Sequence, residues 1–294
     1  MKKINKREIP CLCIHHNDSD GICAGAIVKY FENEVTTHSI NYGYDVPWKK
    51  IKEAQKVYMV DFGLQPFSDM IKLLEIKGDN FIWIDHHKTS IEDKNKSGRT
   101  FKGIQRIGDA GCELTWEYFN PHHNYAEFPK MVKMIGRYDV WDLDYSQNLF
   151  DLQAGLKYQD IDVDHTKFWW ECFGKFSGDN KTDELIKIGK ICNKYQQNLN
   201  NKYANSHTFE MEWEGYIFLV CNALNVNSML FDNKFDMNKH DAMMAFGYTN
   251  KNWSISMYSN KPGVDVGVIA KKYNGGGHKN AAGMQFLELP FKLP

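Results

Sequence analysis

Three short segments constrain this chain more than anything else in it. Residues 9–15 (IPCLCIH), 57–61 (VYMVD) and 81–85 (FIWID) are nearly unbroken apolar runs, and each gives way to aspartate. Asp18 and Asp20 follow the first run, Asp61 closes the second and Asp85 closes the third. A strand apolar at every position is buried on both faces, which is the pattern of a parallel sheet covered by helices. Helical spacing lies between the runs: Ala24, Ile27 and Val28 in residues 21–32, then Phe67, Met70, Ile71 and Leu74 in residues 67–76. Alternating strand and helix predicts a doubly wound, mainly parallel α/β sheet. Ligands of such sheets bind beyond the carboxyl ends of the strands, so the aspartates are expected on one functional rim.

The pattern continues with helices at 110–119 and 128–138, the first with Asp109 as its expected N-cap. Residues 151–180 mix polar residues with WWECF and end in GKFSGDNK, which reads as a domain edge. A long polar helix follows, and from residue 207 the pattern changes to strands, with a helix at 263–273 and the segment GGGHKNAAG before a last strand MQFLEL. The expected organisation is a catalytic domain at 1–180, a helical linker at 181–206 and a smaller mixed α/β domain at 207–294.

Composition removes several classes of function. Lys and Arg number 36 against 37 Asp and Glu, a net charge of -1, which is not the basic footprint of a protein that tracks long duplex DNA. No apolar run approaches the roughly 18 residues that span a bilayer, so no membrane partner is expected. The opening MKKINKREIP does not read as a secretory signal, and seven scattered cysteines without C-x-x-C suggest reduced thiols in a cytoplasm.

The chemistry concentrates in a few blocks. In His16-Asn17-Asp18-Ser19-Asp20-Gly21, alternate positions put two carboxylates on one side of an extended loop, and Gly21 permits the turn into a helix. A calcium loop starting at His16 would need Glu at its twelfth position, which is Ile27. A nucleophilic Asp-x-Asp after a strand, or a plain capped turn, remain alternatives for this block taken alone. In Asp85-His86-His87 one imidazole can ligate a metal, Asp85 can orient a ring nitrogen, and the other histidine can face a substrate. The glycines of GGGHKNAAG would let backbone amides approach a phosphate, but no Gly-Lys-Ser/Thr follows, so it is not a Walker loop.

These blocks, with Gly136-Arg137-Tyr138-Asp139 and Gly275-Gly276-Gly277-His278-Lys279, occur in the order found in the DHH phosphoesterase family with a C-terminal DHH-associated domain, which the chain resembles over nearly its whole length. The resemblance implies a two-metal centre held by Asp18, Asp20, Asp61, His86 and Asp139, with Asp61 bridging. It implies that His87 and His278 contact the substrate phosphate. The residues themselves add Asp85 as the support of a histidine ring, Gly275, Gly276 and Gly277 as the backbone that approaches a phosphate, and Lys279 as a side chain that could steer one. The family often places a histidine ligand four residues before the first Asp, where this chain has Ile14; His15 or His16 could substitute, and His16 is taken as the candidate ligand. Relatives often carry Ser-Leu-Arg-Ser before the glycine segment, where this chain has Ser256-Met257-Tyr258-Ser259. Tyr258 lacks the bidentate charge of arginine and could instead stack on a base.

Oxygen and imidazole ligands without thiolate suit two Mn²⁺ ions, with Mg²⁺ as the alternative. The expected activity is metal-dependent hydrolysis of phosphate esters in nucleotides, with short oligonucleotides or linear dinucleotides as substrates. A single-strand exonuclease, a cyclic-dinucleotide phosphodiesterase, a nucleotide phosphatase and a non-catalytic nucleotide sensor are the alternatives.

Overall fold

The computed structural model describes residues 9–174 and 178–293. Residues 1–8 of the opening segment and 175–177 of the expected domain edge lie outside the described residues. The chain divides into two compact units, residues 1–192 and 193–294.

The first unit is built on strands β1 (Ile9–His16), β2 (Val35–Ile40), β3 (Ala54–Val60) and β4 (Phe81–Ile84). They pair in the order β2-β1-β3-β4 and every pairing is parallel. Alternate residues of β1 supply two separate cores, as the two-residue period of a strand requires. Cys11 and Cys13 join one with Tyr58, Val60, Ile82 and Ile84, while Leu12 and Ile14 join the other with Val57, Met59, Phe81 and Trp83. Helices α1 (Ser19–Phe31), α2 (Trp48–Glu53), α3 (Ser68–Lys77) and α4 (Lys88–Ser97) follow the four strands. Further along lie α5 (Gly111–Phe119), α6 (Lys130–Asp139), α7 (Leu149–Tyr158), α8 (Thr166–Phe173) and the long α9 (Gly178–His207). Residues 151–173, which mix polar and apolar residues ahead of the expected edge, contribute α7 and α8. Leu152 and Leu156 of α7 and Phe168, Trp169 and Phe173 of α8 enter the first core, because their apolar residues recur at helical spacing among the polar ones.

Strand order changes direction between β1 and β3: the chain winds outward to β2 on one side and to β4 on the other. At that switch point the following loops diverge to opposite faces and leave a crevice above the strand ends. The residues after β1 and β3, the Asp18 loop and Asp61, stand there.

The second unit carries a six-stranded mixed sheet, with β5 (Thr208–Trp213), β6 (Tyr216–Asn222), β7 (Ala242–Thr249), β8 (Asn252–Tyr258), β9 (Gly276–His278) and β10 (Ala281–Phe286). Its order is β5-β6-β7-β8-β10-β9, antiparallel except where β6 meets β7, and α10 (Val266–Lys272) precedes β9. The glycine segment is a hairpin, not a loop before a later strand. Gly277, at φ +140°, pairs with Ala282, and a Cβ there would lie 2.5 Å from Ala281 O. Among the described residues no helix is long and apolar enough to cross a membrane.

Candidate metal centre

The Asp18 carboxylate caps α1, accepting from the Gly21 amide at 2.9 Å, and its other oxygen lies 2.7 Å from His16 Nδ1. Gly21 is required here, since a Cβ would sit 2.4 Å from the His16 carbonyl oxygen. The strand alternation of β1 separates the two histidines. His15 is buried beneath α1 against Gly25, and its Nδ1–H donates to the His16 carbonyl at 2.7 Å. His16 turns to the opposite side, where its Nδ1 also comes within 3.7 Å of Asp61 Oδ2. Ile14 is a core residue with no exposed surface.

Asp20 is fully buried and holds the start of a distant helix: its two oxygens accept from the amides of Gly111 at 2.7 Å and Cys112 at 2.8 Å. This replaces the cap expected from Asp109, which instead pairs with Arg106 at 2.8 Å. A carboxylate at a helix N-terminus satisfies free amides and complements the dipole, wherever in the chain it originates. Gly111 lets α5 approach the site, because a Cβ there would be 2.5 Å from the Asp61 Cβ.

Asp61 adopts φ +53° and is 1% exposed. The β4 triplet completes the rim. His86 Nε2 lies 3.1 Å from Asp61 Oδ1, 3.3 Å from Asp139 Oδ2 and 3.8 Å from Asp20 Oδ2. The buried Asp85 instead binds His87: its Oδ1 accepts from His87 Nδ1 at 2.7 Å and from the His86 amide at 2.8 Å. The other ring nitrogen of His87 is thereby left for a ligand.

Asp139 reaches the rim from the end of α6, which is clamped to α5. Buried Glu113 of α5 accepts from Arg137 Nε at 3.0 Å, from a second Arg137 nitrogen and from the Tyr125 hydroxyl at 2.6 Å. Gly136 makes the close approach possible, since a Cβ would stand 2.5 Å from Glu113 Cδ.

Two groupings, His16–Asp18–Asp61 and Asp20–His86–Asp139, each bring their ligand atoms within 4.8 Å of one another, and a third joins Asp61 to His86 and His87. The Nδ1 of His87 is already held by Asp85, which sets the third grouping apart from the first two. Neither carboxylate oxygen of Asp61 makes a hydrogen bond, although it is buried, and His16 Nδ1 makes none despite its short distance to Asp18. Buried polar atoms that crowd together without hydrogen-bond geometry call for a further partner, and a cation fits these donors.

The electrostatics agree. Burial, reinforced by neighbouring carboxylates, raises the Asp20 and Asp61 carboxyls, and Asp139 is pushed up to about 7 by burial and by Asp20. Burial alone would lower His16 and His86. The close carboxylates of Asp18 and Asp61 at His16, and of Asp61, Asp20 and Asp139 at His86, outweigh it and hold both imidazoles up at about 10. This rim needs positive charge, and without a metal it takes protons. Burial also raises the thiols of Cys23 and Cys112, which leaves the donors as carboxylate and imidazole.

A stability measurement follows. Without metal, the fold binds protons that the unfolded chain releases, so its stability falls as pH rises. The Asp139 share is full below about pH 4 and lost through about 7; the share of His16 and His86 is full below about 6.5 and lost through about 10. In chelator, Tm is expected to fall between pH 5 and pH 9, and excess Mn²⁺ to raise it more at pH 8 than at pH 5. A Mn²⁺ effect independent of pH would contradict a site shared by metal and protons.

Residues 10–137 match the model of the DHH family, N-terminal domain, and residues 225–290 match that of the DHHA1 domain. The chain belongs to the DHH phosphoesterase family. It is 25% identical to the uncharacterized protein R106 of Acanthamoeba polyphaga mimivirus, over 99% of this chain and 70% of that protein. A DHH domain described as belonging to a family of ribosomal proteins superposes with a TM-score of 0.55 at 15% identity, covering 94% of this chain and 82% of that one. The pGpG-specific phosphodiesterase PggH of Vibrio cholerae superposes with a TM-score of 0.51 at 12% identity, covering 94% and 93%.

The remaining candidates of this DHH-family chain lie in its second unit. His278 and Lys279 are exposed on the β9–β10 hairpin beside Gly276, where a Cβ would meet nothing within 4 Å. Gly275 and Gly277 have a structural reason to be glycine, because a Cβ at either would collide with β10. Tyr258 is half-buried, and its hydroxyl donates to the Val226 carbonyl at 3.1 Å, which leaves only its ring for other contacts. Strand β2 escapes the sequence pattern entirely. As an edge strand (VTTHSI) it lacks the unbroken apolar run of its neighbours, yet it brings Asn41 and Tyr42 to the rim. The β2 register, with Ile40 opposite His16, places them there. The signal available was Gly43 after a Tyr, a turn at the end of a β-branched stretch.

Proposed function

We propose that this protein is a two-metal phosphoesterase that hydrolyses phosphate esters of nucleotides, with short oligonucleotides or linear dinucleotides as substrates. The observation that carries the reading is Asp61: fully buried at the switch point of the sheet, both oxygens without a hydrogen bond, between His16 and His86. In this reading His16, Asp18, Asp20, Asp61, His86 and Asp139 would hold two Mn²⁺ or Mg²⁺ ions. When bound, such a pair supplies charge neutralisation at phosphorus and makes a water nucleophilic near neutral pH.

The protein's own groups then have separable tasks. Asp85 accepts from His87 Nδ1, which fixes the ring and presents Nε2. Burial lowers the His87 pKa, but the hydrogen bond and charge of Asp85 outweigh it, so the protonated form is favoured and Nε2–H can donate to a phosphoryl or leaving oxygen. The half-exposed carboxylate of Asp18 is pulled below its usual range: burial is outweighed by the adjacent His16 imidazole and the Gly21 amide, so it stays an anionic donor. In the second unit, His278 and Lys279 are the groups available to a substrate phosphate. A net charge of -1 supports small substrates over long strands. That a protein of the same fold is a pGpG-specific phosphodiesterase is consistent with a linear dinucleotide.

The test is incubation with Mn²⁺ or Mg²⁺ and a panel of linear dinucleotides, short DNA and RNA, a nucleoside bisphosphate, cyclic dinucleotides and polyphosphate. Turnover is expected on linear dinucleotides or short oligonucleotides and to be lost in chelator. Tight binding of one compound with no turnover on any would replace the enzyme with a nucleotide sensor.

A further inference from the structure

All four parallel strands end on the same rim, and three of them deliver candidate metal ligands or their supports. The fourth, β2, delivers an aromatic ring. Its carboxyl end runs into Asn41-Tyr42-Gly43-Tyr44, and the register of β1 with β2 places this loop beside the His16–Asp18 loop. Asn41 ties the two loops together: its Nδ2–H donates to the Asn17 side-chain oxygen at 2.9 Å, and its own Oδ1 accepts from the Tyr42 amide at 2.7 Å. The Tyr42 ring rests on Phe62, the residue after Asp61, with centroids 4.8 Å apart. It also meets the His16 ring edge-on at 6.1 Å. Both supports are therefore candidate ligands or their immediate neighbours.

Phe62 is 2% exposed and Tyr42 is 49% exposed. An aromatic retained only for packing would be covered as Phe62 is. Tyr42 is instead held from below, with a large part of its ring open next to a cluster of carboxylates. Gly43, at φ +83°, provides the turn that follows Tyr42. Tyr44, two residues on, is 60% exposed. A rigid π-face beside a phosphate-binding rim has a natural occupant in the substrate itself, because every nucleobase carries a stacking surface at short reach from its phosphate.

We propose that Tyr42 is the nucleobase platform of this site, the residue that makes it prefer nucleotide phosphates to other phosphate esters. The inference rests on the phosphoesterase reading above and adds to it a base subsite within the first unit. Tyr42 stacks on the base attached to the scissile phosphate, and Asn41 and Phe62 keep its ring from rotating away.

The test compares a linear dinucleotide with its abasic counterpart in excess Mn²⁺, for the wild-type protein, Tyr42→Phe and Tyr42→Leu. Leucine keeps apolar bulk over His16 and Phe62 but lacks the π-face, which separates stacking from mere shielding of the rim. The expected result is a kcat/KM ratio, dinucleotide over abasic, that falls about tenfold in Tyr42→Leu, mostly through KM, and is retained in Tyr42→Phe; this is the scale of one base–aromatic stack. If the wild type turns over the dinucleotide and the ratio is the same in all three proteins, the platform is wrong and the phosphoesterase reading stands. If the wild type turns over neither compound nor any other in the panel, the phosphoesterase reading itself fails and the platform with it.

Discussion

Asp61→Asn is expected to lower kcat/KM by on the order of 10³-fold or more while leaving the fold intact. Asparagine is the informative replacement because Asp61 sits at φ +53°, a region that Asn tolerates nearly as well as Gly. The substitution keeps the size of the side chain and removes a negative charge that belongs to one ligand group and lies 3.1 Å from His86 of the other. It should also have a second, opposite effect. In chelator, burial and the Asp18 charge raise the wild-type carboxyl by more than the flanking His16 and His86 imidazoles lower it, so its ionised form costs stability. The variant should therefore melt in chelator at a temperature at least as high as the wild type, and should lose most of the Mn²⁺-induced rise. Activity and metal-free stability moving in opposite directions would mark Asp61 as a ligand. Near-normal turnover would sink the assignment.

The second large effect is expected on stability. Arg137→Ala should cost about 3–5 kcal/mol, the range for stranding one partner of a buried ion pair. Glu113 is 2% exposed and would lose two of its donors, keeping the Tyr125 hydroxyl and the Ala110 amide. The double variant Glu113→Ala with Arg137→Ala removes the stranded charge and should recover part of the loss, which denaturant unfolding in a double-mutant cycle would measure. The same pair joins α6 to α5, and so holds Asp139 near the helix whose first amides bind Asp20. Turnover measured well below the melting temperature should accordingly fall in Arg137→Ala. A variant as stable as the wild type would show that the clamp contributes nothing.

The unequal legibility of the site has a physical cause. β1, β3 and β4 are central or doubly covered, so their apolar runs announce them, and the residues that end them stand out as polar interruptions. β2 is an edge strand with one exposed flank, and its polar run Thr36-Thr37-His38-Ser39 conceals it. Tyr42 was hidden with it. The helices after residue 150 were hard to place because they expose many polar residues, although Leu152, Phe168 and Trp169 pack into the first core. Arg137 was visible inside its motif, but its partner Glu113 lies 24 residues away and no local pattern links them.

From the sequence alone came the parallel α/β class, the acidic and imidazole composition of the rim and the resemblance to the family. These depend on local periodicity and on residue type, which a linear chain displays directly. Only the tertiary structure decided between His15 and His16, because adjacent residues of a strand point to opposite faces and the choice depends on which face α1 covers. Only it moved the cap of α5 from Asp109 to Asp20, a contact across 91 residues. And only it set Tyr42 against Phe62 and His16, because strand order, which no local pattern encodes, makes the end of β2 a neighbour of the end of β1.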